Sequence, residues 1–455
     1  MDNQKEQELA SAPIGTLFAR LAVPAVTAQI INVLYNLVDR MYIGHIPAIG
    51  AAALTGAVIL MISAFAALVS MGGAPRASRA MGKGQHDIAE QILGSCAFTL
   101  PVISLFLTAL MLFWGRDILL LFGASPDTSV YALKYLNVYC LGTIFVQLSL
   151  GLNAFITAQG YAVTSMLTVF IGAALNIILD PVFIYLLHMD VKGAALATIL
   201  SQGISSCWVV GFLRSSRSIV KLRKQNFCFR ARLLLPCIAL GTSPCLMQIT
   251  ENLAAISFNV TLLKYAGDLA VGAVTILSGI MNFTMLLLTG LTQGAQPILS
   301  YNLGAGNGER VRKAFRLLLA SWVAGPVCIW CICIFAPDSV AAVFADDSTL
   351  ISYTAWALQI YMSMSMIFGI QVACQYSFVA LGNAPAAIFL SIYRKILLLI
   401  PLIFLLPNFF ADKALGIFLA EPIADTLAVC TTSVMFFVNF RKLLNSMDFC
   451  KKGTT

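Results

Sequence analysis

Charge is scarce in this chain. Only 11% of its 455 residues are Asp, Glu, Lys or Arg, against 59% that are hydrophobic, and the mean hydropathy is +0.88. A soluble domain carries roughly a quarter charged residues, and its surface must be covered largely by polar groups. The composition therefore excludes a soluble globular protein. Also lacking is a strict apolar/polar alternation, which sets aside a membrane barrel and leaves helices as the spans. No G-x-x-x-x-G-K-[ST] loop and no H-E-x-x-H pair occurs, and the loops are too short for a soluble catalytic domain. The protein is not expected to be an enzyme, to need a cofactor or to hydrolyse ATP, so its energy would come from an ion gradient. No cleavable signal peptide is apparent, because Met1 to Ser11 is polar and the first apolar run is long enough to span. The twelve cysteines are scattered. The tightest group, Cys328, Cys331 and Cys333, reads as small apolar residues inside a span rather than as a metal or redox site.

What is present is a series of long apolar runs. Spans are predicted at about 17–43, 49–72, 92–114, 131–157, 163–188, 193–213, 234–263, 269–297, 314–336, 351–380, 385–410 and 415–440. The net charge of +8 is not a nucleic-acid signal, because the basic residues crowd into alternate loops. With the N-terminus inside, Arg76, Arg79, Lys83, the stretch from Arg214 to Arg232, the run Arg310 to Arg316, and Arg441 with Lys442 all fall on the cytoplasmic side. That is the positive-inside pattern of a multi-pass inner-membrane protein. The same spans divide the chain into a six-helix lobe (1–213), a basic linker (214–233) and a second six-helix lobe (234–455).

The two lobes look like repeats. Pro24 and Pro244 open the first and seventh spans, 220 residues apart. Gly72-Gly73-Ala74-Pro75 followed by Gly82-Lys83-Gly84 recurs as Gly294-Ala295-Gln296-Pro297 and Gly304-Ala305-Gly306, 222 residues on, and Gly160/Gly382 keep that offset. Six spans per repeat give both copies the same orientation, an arrangement that puts a substrate site between lobes.

Buried carboxylates are expensive in lipid and mark cavities or partners. Asp39 and Asp180 lie at similar depth in spans one and five. Asn32, Tyr35, Asn36 and Asp39 form a polar stripe at helical spacing, and Asn176 shares a face with Asp180 at i,i+4. Thr198 in span six falls at the same depth. Pro181 lacks a backbone donor and clashes with the preceding turn, which bends the helix beside Asp180. Such an oxygen-rich site could hold a sodium ion or trap a proton. In the second lobe, Arg394 is placed to meet Asp425, which stands at i,i+4 from Glu421. Glu251 has no basic partner in its own span; it reads equally as an acid for a cationic substrate and as a structural group.

The two-lobed plan, Tyr35 with Val38-Asp39, Gly72-x-x-Pro75, Asn176-Ile-Ile-Leu-Asp180-Pro181 and Gly193-Ala-Ala-Leu-Ala-Thr198 resemble the multidrug and toxic compound extrusion (MATE) transporters, in particular the DNA-damage-inducible-type branch. The resemblance implies an all-α membrane antiporter that exports organic, often cationic compounds in exchange for protons or sodium. It implies a cation site at Asp39, Asn176, Asp180 and Thr198 with Tyr35 beside it, and a polar position at Asn153. Small organic substrates and the bilayer are the expected partners, nucleic acid is not, and a monomer is expected. The competing readings are a lipid-linked oligosaccharide flippase, disfavoured by acidic rather than basic cavity residues, and a membrane enzyme or sensor.

Overall fold

Residues 2–44, 49–121 and 126–452 are described by a computed structural model, and among them every regular element is a helix. A short helix α1 (Asp2–Ser11) precedes α2 (Ile14–Gly44), α3 (Ile49–Gly82) and α4 (His86–Leu121). Next come α5 (Pro126–Leu141) with α6 (Thr143–Ala158), then α7 (Ala162–Pro181) and α8 (Asp190–Arg214). The long α9 (Ala231–Gly304) opens the second half and α10 (Gly308–Phe335) follows. A six-residue α11 (Pro337–Ala342) leads to α12 (Ser348–Tyr361) and α13 (Ser365–Ala380). The chain ends with α14 (Ala384–Ile392), α15 (Ile400–Leu405) and α16 (Lys413–Lys452).

Among the described residues, nine helices are long and apolar enough to cross a membrane. The 74-residue α9 is two spans, because Gly267 at φ 76°, ψ −171° breaks it, a conformation open to glycine. The pairs α5/α6 and α12/α13, bent by 60° and 54°, supply one span each. The total is the twelve expected from the apolar runs. The bends at the fourth and tenth spans are not visible in hydropathy. At the first bend Gly142 is required by space, since a β-carbon there would lie 2.3 Å from the Ile199 side chain.

Many helices run past the predicted limits, as α3 does to Gly82, because helix propensity continues beyond the apolar stretch. The backbone after Pro181 enters a π-helical turn, Val182–Leu186, so the expected bend takes this form. A second π-helical stretch, Tyr393–Leu399, precedes Pro401, whose missing N–H disturbs the same ladder.

The repeat is written into the backbone. Gly84 and Gly306 adopt φ 72° and 69°, and Gly160 and Gly382 adopt 87° and 81°. The seam between lobes is built on glycine too. A β-carbon on Gly82 would sit 2.0 Å from the Tyr301 carbonyl oxygen, and one on Gly304 would sit 2.1 Å from the Arg79 carbonyl oxygen. Each contact maps onto the other at the repeat offset. Deeper in the seam, Gly241 meets the Leu68 carbonyl at 1.8 Å and Gly72 meets the Cys237 carbonyl at 1.8 Å by the same measure. The end of the bundle that carries the basic loops is therefore closed, backbone against backbone.

Candidate cation and substrate site

In the first lobe α2, α7 and α8 bring the expected residues together. Asp180 and Asn176 are buried, and Thr198 is 7% exposed. With the Asn176 amide turned to satisfy both neighbours, its nitrogen donates to Asp180 Oδ2 at 2.7 Å and its oxygen stands 3.2 Å from the Thr198 hydroxyl. Asp39 reaches in from α2, and its carboxyl stands beside that of Asp180. Tyr35, one turn earlier on α2, lines the same small cavity as Thr198. Asn176, Asp180 and Thr198 are thus hydrogen-bonded together, and Asp39 and Tyr35 flank them from α2.

Tyr135 was not picked out by sequence reasoning. It lies close to Thr198 and stacks on Tyr139 with centroids 5.9 Å apart. The spacing of the two tyrosines at i,i+4 in α5 was the available signal. Asn36 stands apart: it is exposed and donates to the Asn32 carbonyl of its own helix at 2.7 Å. The polar stripe of α2 is therefore narrower than expected, with Asn32, Tyr35 and Asp39 turned inward.

A small cavity of about 50 Å³ touches Asn176, Thr198 and Tyr35 and is also lined by Asn32 and Asn153. The last two residues line a larger neighbouring cavity of about 220 Å³ as well. Its walls are α2, α3, α6 and α7 of the first lobe, with Gln293, Gln296 and Pro297 of α9 closing one side. Gln29 and Gln293 hydrogen-bond across the lobes there at 3.3 Å. Asn153 donates to the Ser165 carbonyl at 3.2 Å, while its own oxygen is buried without a protein partner. A buried acceptor left open costs free energy unless a ligand or water meets it. Asn153 therefore stands where the cation cluster and the larger cavity join.

The second lobe holds its charges differently. Arg394 bonds Asp425 and Glu421, each at 2.7 Å, and lies 4.0 Å over the Phe368 ring. The expected Arg394–Asp425 pair is present and is part of a larger group. Lys395 meets Glu421 at 3.3 Å and Glu251 at 3.1 Å. Glu251 therefore does have a basic partner, from the eleventh span, which span-by-span reading could not show. Its side chain stays 52% exposed. Gln371 and Gln375 bond each other at 2.8 Å, and Gln375 continues to Ser391 at 2.7 Å. Among the described residues no group of three or more His, Cys, Asp or Glu is arranged to hold a metal ion.

Comparison with known proteins agrees with this architecture. The MatE family model matches residues 24–182 and again 244–405, one match per lobe. A multidrug export protein MepA of Staphylococcus haemolyticus is 25% identical over 421 residues, covering 92% of this chain and 91% of its own length. MepA of Staphylococcus aureus NCTC 8325 is 24% identical over 434 residues, covering 94% of each. Among solved structures, a MATE protein in the bent conformation superimposes with a TM-score of 0.92 at 20% identity, covering 98% of this chain and 99% of that one. An outward-facing multidrug resistance MATE transporter of the MOP superfamily gives 0.90 at 20% identity, covering 97% and 98%.

Proposed function

The chain belongs to the MatE family of membrane transporters, and from that premise we propose that it exports organic, often cationic compounds in exchange for protons or sodium ions. Coupling is assigned to Asp39, Asn176, Asp180 and Thr198 with Tyr35, and Asn153 is assigned to the substrate cavity. The observation that carries this reading is the placing of two carboxylates, Asp39 and Asp180, side by side in the membrane-spanning helices, next to Asn176 and Thr198, which open onto that cavity. Two carboxylates side by side do not both stay charged unless a proton or a cation lies between them. Either ion would draw α2 onto α7, and losing it would release α2.

Asn32 extends the same helix into the larger cavity, so a movement of α2 that follows the ion also reshapes the substrate wall. Antiport requires that each ligand bind the two conformations with different affinity. A shared, movable wall supplies that difference. The loop charges favour cytoplasmic termini in an inner membrane, and the closed basic end then makes this conformer outward-facing. We read residues 1–213 and 234–455 as the two lobes, 214–233 as the linker, and the functional unit as a monomer.

The test is efflux of a fluorescent organic cation from proteoliposomes, with a proton or a sodium gradient imposed separately. Asp39→Asn and Asp180→Asn are expected to reduce gradient-driven efflux to the rate of empty liposomes. Gradient-driven efflux in both variants would refute the coupling assignment.

A further inference from the structure

At the closed end of the seam the repeat builds two related crevices, and only one of them is filled by the chain. The filled one takes α1. Leu9 is 1% exposed there and packs against Gly160. Its carbonyl accepts from Asn302 and from Arg310, each at 3.2 Å. Glu6 meets Tyr301 at 3.4 Å and His86 at 3.6 Å. Moving this set by the repeat offset carries Gly160 to Gly382, Tyr301 to Arg79, Asn302 to Ala80 and Arg310 to Ile88. All four counterparts line a single open crevice of about 260 Å³. Its other walls include Arg76, Lys83 and Leu240.

The twin crevice carries basic residues at three positions where the filled one has none. Arg76, Arg79 and Lys83 correspond to Ile298, Tyr301 and Ala305 of the second lobe, so the packing of this helix end does not require the positive charges. The Nε atoms of Arg76 and Arg79 are buried and have no hydrogen-bond partner. Among the described residues, none of the three cations is in an ion pair with a carboxylate. The Arg79 guanidinium lies against Gly382, where a β-carbon would come within 3.1 Å of its Nη1. Planar guanidinium forks are matched to phosphate oxygens.

We propose that this crevice is a phosphate-binding site, which Arg76, Arg79 and Lys83 use to hold the phosphate of an anionic lipid headgroup or a free phosphate. Both lobes line it, through Arg76 to Ile92 on one side and Leu240 with Val379 to Gly382 on the other. A bound phosphate therefore favours the conformation in which this end is closed. Its placement at the cytoplasmic surface rests on the orientation proposed above; the binding itself does not.

The test uses the full-length protein, delipidated in a neutral detergent. Native mass spectrometry measures retention of added phosphatidylglycerol against phosphatidylcholine, and thermal unfolding is followed against inorganic phosphate. The expected result is preferential retention of phosphatidylglycerol or a phosphate-dependent rise in Tm. Arg76→Gln, Arg79→Gln and the exposed Lys83→Gln should each weaken it, by about fivefold per charge removed. Lys224→Gln in the linker should leave it unchanged. A lipid response without a phosphate response identifies a headgroup; the reverse identifies a free phosphate. Binding that is insensitive to all three crevice variants, or equally sensitive to Lys224→Gln, would overturn the proposal. Neither readout depends on transport, so failure here is separable from failure of the antiport reading.

Discussion

Gly304→Ala puts one methyl group into a contact with no room for it. The new β-carbon would lie 2.1 Å from the Arg79 carbonyl oxygen, well over ~1 Å inside ordinary van der Waals contact. The obstacle is backbone on a packed helix, so no side-chain rotation relieves it. Overpacking of this kind costs about 1–3 kcal/mol. That cost falls only on conformers in which the two helix ends touch. If the lobes part during transport, the substitution shifts the ratio of closed to open molecules at this end by about 5–150-fold. Spin labels at Gln85→Cys and Glu309→Cys, one on each lobe at this end, read the change as a longer distance in pulsed electron resonance. Gly82→Ala meets the Tyr301 carbonyl at 2.0 Å and should act in the same direction. The double variant should fall short of the sum, because the first opening already relieves the second contact. Gly279→Ala, with nothing within 4 Å of its β-carbon, is the control and should change neither distance nor Tm. An unchanged distance distribution in both Gly304→Ala and Gly82→Ala would show that this seam does not close as described.

Removing Arg394 as Arg394→Met leaves Glu421 and Asp425 with only Lys395 nearby, and the loss of one partner from a buried ionic group costs about 3–5 kcal/mol. A large fall in Tm is expected, recovered in good part by the triple change Arg394→Met, Glu421→Met, Asp425→Met; an unchanged Tm in the single variant would refute the buried network. Burial pushes the Glu8 carboxyl up, but its hydrogen bond to Lys5 and the charges of Lys5 and Arg20 outweigh this and hold it below its ordinary value of 4.5. A lowered folded value means that the contribution of Glu8 to α1 docking is complete above that pH and is lost as pH falls through the folded value. The protection of α1 amides, exchange measured relative to the intrinsic rate at each pH, should accordingly fall on acidification in the native protein and stay constant in Glu8→Gln; equal protection profiles would argue that Glu8 does not hold α1.

Hydropathy and loop charge were enough to read twelve spans, and repeated glycines were enough to read the repeat, because both are one-dimensional properties. Gly84, Gly160, Gly306 and Gly382 recur because each sits at a left-handed turn that side chains with a β-carbon rarely adopt. The carboxylates of the first lobe were legible for a related reason: Asp39 and Asp180 are conspicuous in lipid-spanning runs. What hydropathy could not supply was the partner from another span. Lys395 reaches Glu251 across 144 residues of chain, and Tyr135 comes to Thr198 from α5. Neither pairing leaves a local mark. The bends at Gly142 and at Met362 to Met364 were hidden because a bent span has the same hydropathy as a straight one.

The two lobes share a backbone plan and differ in how they treat charge, and that difference supports the proposed placing of the coupling site in the first lobe. In the second lobe Glu421 and Asp425 each bond Arg394 at 2.7 Å, and Glu421 also faces Lys395. Fixed cations already neutralise those acids, so taking up a mobile proton or sodium ion would first require breaking strong contacts. In the first lobe Asp180 meets another carboxyl and the Asn176 amide. In the proposed antiport its charge would be balanced by the mobile cation. A transporter that exchanges ions needs such a balance to change within each cycle, whereas a structural ion pair needs it to stay constant. The same backbone can therefore carry a switch in one copy and a permanent brace in the other, and exchanging these roles would require moving Arg394 and Lys395, not the helices.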